Sequence, residues 1–170
     1  GLGISAIQLA QALGASGVFA VDIQPRKLEL ARQLGATPIN ARLVDPVAAI
    51  RDQTRGRGVN VALELIGLPL TMQQAVRSLA IQGRAALAGI TEKSFDVSPY
   101  HELINREAEI IGVSDHLASE IPELLTLAAS GKLTFTNVIT RTVPLSAESI
   151  NATLDQLEKF SEDVRVVIEP

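Results

Sequence analysis

The sequence predicts an α/β fold, a doubly wound parallel sheet with helices on both faces. Three observations predict it. Strand-like and helix-like segments alternate along nearly the whole chain. Two glycines, Gly1 and Gly3, open an apolar, alanine-rich helix pattern that runs to Leu13 and stops at Gly14. A run from Gly17 to Val21 then ends on an acid, Asp22, 19 residues after Gly3. Glycine turn, helix, strand and carboxylate in that order make the second half of a dinucleotide-binding (Rossmann) unit. Its ribose-binding acid is expected about 20 residues on.

The chemistry behind the pattern is simple. A helix N-terminus carries unpaired N–H groups and a partial positive charge, so it attracts a pyrophosphate. Glycine there lets the phosphate approach the backbone. A carboxylate ending the second strand accepts hydrogen bonds from ribose hydroxyls and repels a 2′-phosphate. The full fingerprint, G-x-G-x-x-G directly after a strand, is incomplete here. Gly3 reads as its last glycine, with the first strand and first glycines expected upstream of Gly1. A second register stays open, with Gly1, Gly3 and Ala6 as G-x-G-x-x-A. It leaves no room for a first strand and puts Ile4-Ser5 in the loop.

The remaining elements follow in order. Pro25 sits at a tolerated first-turn position, and Arg26 to Leu34 has apolar residues at helical spacing, ended by Gly35. Thr37 to Asn40 is a short strand. Asp45 is an N-cap for a helix to about Thr54. Arg55-Gly56-Arg57-Gly58 is a turn, and Val59 to Leu65 reads as a buried strand. Leu70 to Leu79 is a helix, Gly83 to Leu87 a strand, and Glu109 to Val113 another strand. Ser119 to Ala129 is an amphipathic helix closed by Gly131. Thr140 to Val143 is a strand, Ser146 to Phe160 a helix, and Asp163 to Ile168 a last strand. The five strands before Ser114 fit one open sheet. A boundary is expected there, dividing residues 1–114 from 115–170.

The totals exclude several classes. The chain has 170 residues, 46% hydrophobic and 20% charged, enough for one core. A net charge of −4 and a pI near 5.2 argue against a nucleic-acid backbone as partner. No apolar run approaches the roughly 20 residues of a membrane span. There is no signal peptide in these residues, and a cytoplasmic location is expected. The absence of cysteine excludes disulfides and cysteine metal sites within them. His101 and His116 are far from clustered acids, so no metal site and no catalytic residue is expected in this chain.

In its motifs the chain resembles the medium-chain dehydrogenase/reductase superfamily of the zinc alcohol dehydrogenase type. The resemblance rests on Gly1 to Ala10, Val21-Asp22-Ile23, Lys27 to Thr37, Gly58 to Glu64, Ala88-Gly89-Ile90, Ala128 to Leu133 and Arg165 to Ile168. It covers essentially the whole chain in order. It implies a Rossmann cofactor domain lacking its first strand, then a C-terminal α/β segment returning to the catalytic domain. By resemblance, Gly1, Leu2 and Gly3 face the pyrophosphate and Asp22 binds the adenosine ribose. Ile23 lies against the adenine, and Lys27 is near the same ribose. Leu65, Ile66 and Gly67 follow the fourth strand. Ala88, Gly89, Ile90 and Val113 line the nicotinamide side, and Arg165 returns to the pyrophosphate. The resemblance further implies NAD rather than NADP and an alcohol or carbonyl substrate. It also implies a homodimer or homotetramer paired along Glu109 to Val113. Zinc is expected in the intact enzyme, held by ligands outside this chain.

Each residue also fits a blander role. Gly1 and Gly3 fit a turn, Asp22 a solvated strand end, and Lys27 a solvated helix face. Arg26 is placed to meet a 2′-phosphate. Arg165 fits an ion pair with the neighbouring Glu162 and Asp163, and Glu64 fits a turn cap. His101 and His116 read as surface histidines, and Arg51, Arg55 and Arg57 as a solvated basic turn. Two other readings of the whole stay open: a zinc-free, NADPH-dependent quinone-reductase-like enzyme, and a non-catalytic dinucleotide-sensing or structural domain.

Overall fold

In the computed structural model, residues 1–115, 117–135, 138–159 and 163–170 are described. His116, the last residue expected in the Ser146 helix, Phe160, and the acid expected beside Arg165, Glu162, lie outside them. The chain divides into two compact units, one of Gly1–Pro38 with Ser119–Pro170 and one of Ile39–Ala118. The second division falls four residues after the boundary expected at Ser114, and residues 119–170 pack with the chain's first helix. Strands and helices alternate, and the sheets whose registers are defined are parallel.

In the first unit, α1 (Leu2–Ala12) leads to β1 (Phe19–Asp22) and α2 (Pro25–Gln33), which begins with Pro25 in its first turn. Gly14 and Gly35 follow these helices at φ +94° and +84°, the left-handed conformation that ends a helix cleanly with glycine. β2 (Thr37–Asn40) pairs with β1 in a two-stranded sheet. From residue 119 the unit adds α5 (Ile121–Ala129), β6 (Arg141–Pro144), α6 (Ala147–Glu158) and β7 (Val166–Glu169), with β6 and β7 parallel. Its core joins Ile4 and Ile7 of α1 with Ala31, Ala36 and Val138. The buried Gln8 side chain accepts the Thr134 N–H at 2.7 Å. Helix α1 is thereby fixed to residues far away in sequence.

In the second unit, α3 (Pro46–Gln53) carries the expected cap: Asp45 Oδ1 accepts the Ala48 N–H at 2.8 Å. It leads to β3 (Val59–Glu64), α4 (Pro69–Arg77), β4 (Leu79–Leu87) and β5 (Glu109–Gly112). The sheet order is β3-β4-β5, all parallel. Val76, Leu79 and Ala85 are fully buried at its core, and burial of each larger side chain is worth about 1.5–3 kcal/mol.

Four expectations are corrected. The five strands before residue 114 form a two-stranded and a three-stranded sheet. The helix expected to reach Leu79 ends at Arg77, and the strand expected from Gly83 begins at Leu79. Leu79 and Ala80 are core residues, and the strand crosses an irregularity at Gln82, whose φ is +58°. Helical spacing and strand burial are indistinguishable over so short an apolar run. β3 is buried on one face only, with Val61 and Leu63 exposed on the other. The stretch 99–106, which carried no expected element, forms a π turn and a 3-10 turn.

Candidate functional site

The start of α1 carries the expected Gly1, Leu2 and Gly3, and the expected Arg165 reaches its first turns. Gly1 is its N-cap, with no side-chain cap and no acid in the first turn. The first N–H groups of the helix therefore have no intrahelical acceptor. A Cβ placed on Gly3 would meet nothing within 4 Å. Arg165 Nη2 donates to Ser5 Oγ at 3.5 Å, in the first turns of α1.

Asp22 closes β1. Its Oδ1 accepts the N–H groups of Ile23 and Gln24 at 2.7 and 2.9 Å, a local turn that fixes the carboxylate. Among the described residues no donor is recorded on Oδ2. Ile23 beyond it is exposed, and Lys27 lies half-buried on α2.

In the second unit the remaining expected residues lie at the carboxyl ends of three adjacent parallel strands. Ile66 and Gly67 follow β3, Ala88 to Ile90 follow β4, and Val113 follows β5. Open α/β sheets bind ligands at this end. One buried side chain organises these loops. Glu64, 3% exposed, accepts the N–H of Ile66 at 2.9 Å, the N–H of Gly67 at 3.0 Å and the Thr71 hydroxyl at 2.7 Å. Its backbone carbonyl accepts the N–H groups of Ala88 and Gly89 at 2.9 and 3.1 Å. The β3 and β4 loops touch so closely that Cβ atoms do not fit. One on Gly67 would overlap Ile90, and one on Gly89 would overlap Gly67 and the Glu64 carboxyl. Ile90 stands 94% exposed beside them, and Val113 N–H is held by Leu87 O at 2.9 Å.

Sequence reasoning missed Thr71; it placed Glu64 at the end of a buried strand on the switch side, with a turn cap as its blander role. The signal available was Glu64-Leu65-Ile66-Gly67 with a hydroxyl seven residues after the acid. His101 is exposed, its ring edge-on to Tyr100 at 5.2 Å. The basic turn is also less solvated than expected. Arg51 is half-buried and donates to the carbonyls of Gly56, Arg77 and Leu79.

These features are those of a parallel α/β protein with loops gathered at the carboxyl ends of its strands, and comparison with known proteins names its family. The zinc-binding dehydrogenase family matches residues 1–130, and the chain belongs to it. The chain is 33% identical over 172 residues to an NAD-dependent alcohol dehydrogenase of Sulfurisphaera tokodaii, covering all of this chain and 48% of that protein. It is 27% identical to the (R,R)-butanediol dehydrogenase of Bacillus subtilis, covering 99% of this chain and 48% of that protein. Among solved structures, benzyl alcohol dehydrogenase from Acinetobacter calcoaceticus superposes with a TM-score of 0.86 at 36% identity. It covers 98% of this chain and 46% of that one. The chain thus spans about half the length of the curated relatives it matches.

The residues present fit a dinucleotide: a glycine-flanked helix N-terminus, Arg165 beside its first turns and a fixed carboxylate with one oxygen undirected. They do not fit zinc. Among the described residues no three of His, Asp or Glu cluster around one point, and the sequence has no cysteine. No helix among them is long and apolar enough to cross a membrane.

Proposed function

We propose that this chain is the cofactor-binding portion of an NAD-dependent oxidoreductase that moves hydride between nicotinamide C4 and an alcohol or carbonyl carbon. The observation that carries the reading is the Asp22 carboxylate fixed at the end of β1, after a helix that opens on glycine and has Arg165 bonded to Ser5 in its first turns. The cofactor supplies the hydride chemistry, and the protein supplies position and electrostatics.

In the first unit, the N–H groups at Gly1, Leu2 and Gly3 receive the pyrophosphate, and Arg165 adds charge beside them. Asp22 Oδ2 accepts the adenosine ribose hydroxyls, Lys27 flanks the same ribose, and Ile23 covers the adenine. In the second unit, Ile66, Gly67, Ala88, Gly89, Ile90 and Val113 serve the nicotinamide end. The N–H groups of Ala88, Gly89 and Val113 are already taken. What that segment offers a carboxamide is therefore its carbonyl oxygens and the Ile90 N–H. The exposed Ile90 side chain excludes water from the ring. Residues 115–170 run back toward a catalytic domain, whose own residues hold any zinc.

The test is calorimetric titration of the protein with NADH. Saturable binding of one NADH per chain is expected, and an absence of saturation at millimolar NADH would remove the reading.

The same reading makes the protein a homodimer or homotetramer paired along β5. That strand is bonded to β4 on one side, and no strand among the described residues takes its other edge. A bare apolar edge is an association site unless it is covered. Ile110 packs into the core and Ile111 faces the opposite side. Ile111→Lys is expected to shift the protein toward monomer in sedimentation velocity. An unchanged sedimentation coefficient would count against the β5 interface.

A further inference from the structure

At the amino ends of β3 and β4, in the second unit, a cavity of about 420 Å³ is lined by Arg51, Arg57, Arg106, Asn60 and the Leu79–Ile81 segment. None of its lining residues is acidic. We infer that this cavity binds a phosphomonoester, with Arg57, Arg106 and Asn60 on the phosphate and Leu79 and Ile81 beside the organic part.

The first support is a pair of like charges. Arg51 Nη2 and Arg106 Nη1 donate to the same two carbonyls, those of Arg77 and Leu79, at 2.7–3.3 Å. Two guanidinium groups are therefore held side by side. Burial, and then the charge of Arg106, lowers the pKa of Arg51. The acids nearby are engaged elsewhere. Glu102 takes Arg77 at 2.7 Å, Glu107 takes Gln82 at 2.9 Å, and Glu109 takes Arg84 at 2.8 Å. Burial works to raise the pKa of Glu102, yet Arg77, the Ser98 N–H and the charge of Arg106 hold it below the usual range.

Capping the carboxyl end of α4 accounts for the contacts to Arg77 O. It leaves unexplained a third cation, Arg57, whose recorded contact is to Asn60 Oδ1 at 3.4 Å. It also leaves Nε and Nη2 of Arg106 directed at no recorded acceptor among the described residues. Guanidinium forks match phosphate oxygens in geometry, and a dianion offsets two of the three charges where a carboxylate offsets one. The cavity is larger than a phosphate needs, and Ile81 stands 71% exposed at its wall. A phosphate carrying a small organic group uses both features.

The test is calorimetric titration of the protein with glycerol 3-phosphate and with inorganic phosphate. Saturating NADH is present, so that the start of α1 does not compete. Saturable binding of one glycerol 3-phosphate per chain is expected, tighter than that of inorganic phosphate. Arg57→Met and Arg106→Met should each weaken it at least tenfold, and Arg42→Met, on an exposed turn outside the cavity, should leave it unchanged. Arg57 bonds no backbone group, so its variant keeps the fold and decides the matter if Arg106→Met does not fold. Overturning results are an absence of saturable binding, or affinity unmoved by Arg57→Met. Inorganic phosphate binding as tightly as the ester would overturn the assignment to a phosphomonoester.

Discussion

Gly89→Ala is expected to destabilise the protein by on the order of 4 kcal/mol. The added methyl would lie on the backbone of Gly67 and on the buried Glu64 carboxyl. The first is backbone, and the second, though a side-chain end, is held by Ile66, Gly67 and Thr71. Overpacking a tight site costs about 1–3 kcal/mol. Here the only relief is to push the loops apart. That breaks the bonds from Ile66 and Gly67 N–H to Glu64, at 2.9 and 3.0 Å, and a buried polar group left unmatched costs about 1–3 kcal/mol more. Against a total stability of roughly 5–15 kcal/mol, this is a large fraction. The measurement is the denaturant midpoint of the variant beside that of Gly17→Ala. Gly17 has nothing within 4 Å of its Cβ position and no left-handed φ. Its variant should match the parent or gain slightly, because alanine restricts the unfolded chain. Equal midpoints for the two variants would show that the β3 and β4 loops are not locked as described.

The parts of the fold that were legible in the sequence are those with local causes. Asp45 before a proline, Pro25 in a first turn, and glycines after helices all specify backbone geometry within a few residues. Those elements stand where the residues put them. The acid at the end of a short strand after a glycine-opened helix was legible for the same reason, since turn, helix and strand fix its spacing. What could not be read depends on contacts distant in sequence. Leu79 belongs to a strand because it packs against residues of β3 and the segment after Phe95. The run Leu79-Ala80-Ile81 alone does not distinguish that from a helix end. Glu64 is central because Thr71, Gly67 and Gly89 close around it. Gly67 and Gly89 could be counted in the sequence, but their contact is a product of the fold. The arginine cavity is the same case. Arg51 ends α3 and Arg57 follows it six residues on, but Arg106 joins them only when β3 and β4 bring residues 77–81 into reach.

Cofactor choice should rest on Asp22, and Asp22→Ser is expected to move the affinity ratio of NADH to NADPH by on the order of a hundredfold toward NADPH. Asp22 Oδ1 is held by two backbone N–H groups, so the carboxylate cannot swing away from an incoming group. NADH can use Oδ2 as acceptor for its ribose hydroxyls. With NADPH a 2′-phosphate would lie against that oxygen. Two unit charges about 4 Å apart at an effective dielectric of about 20 repel by on the order of 4 kcal/mol. Lys27 offsets part of this, and salt screens part at a half-exposed site. A net discrimination of about 3 kcal/mol remains, which is the hundredfold at about 1.4 kcal/mol per decade. Serine removes the charge and keeps an oxygen for the Ile23 or Gln24 N–H, so the turn survives the change. The measurement is the pair of dissociation constants for NADH and NADPH, before and after the substitution. NADH affinity should fall with the loss of the ribose acceptor while NADPH affinity rises. A parent protein that prefers NADPH, or a ratio that does not move in the serine variant, would sink the assignment of Asp22 as the ribose-binding acid.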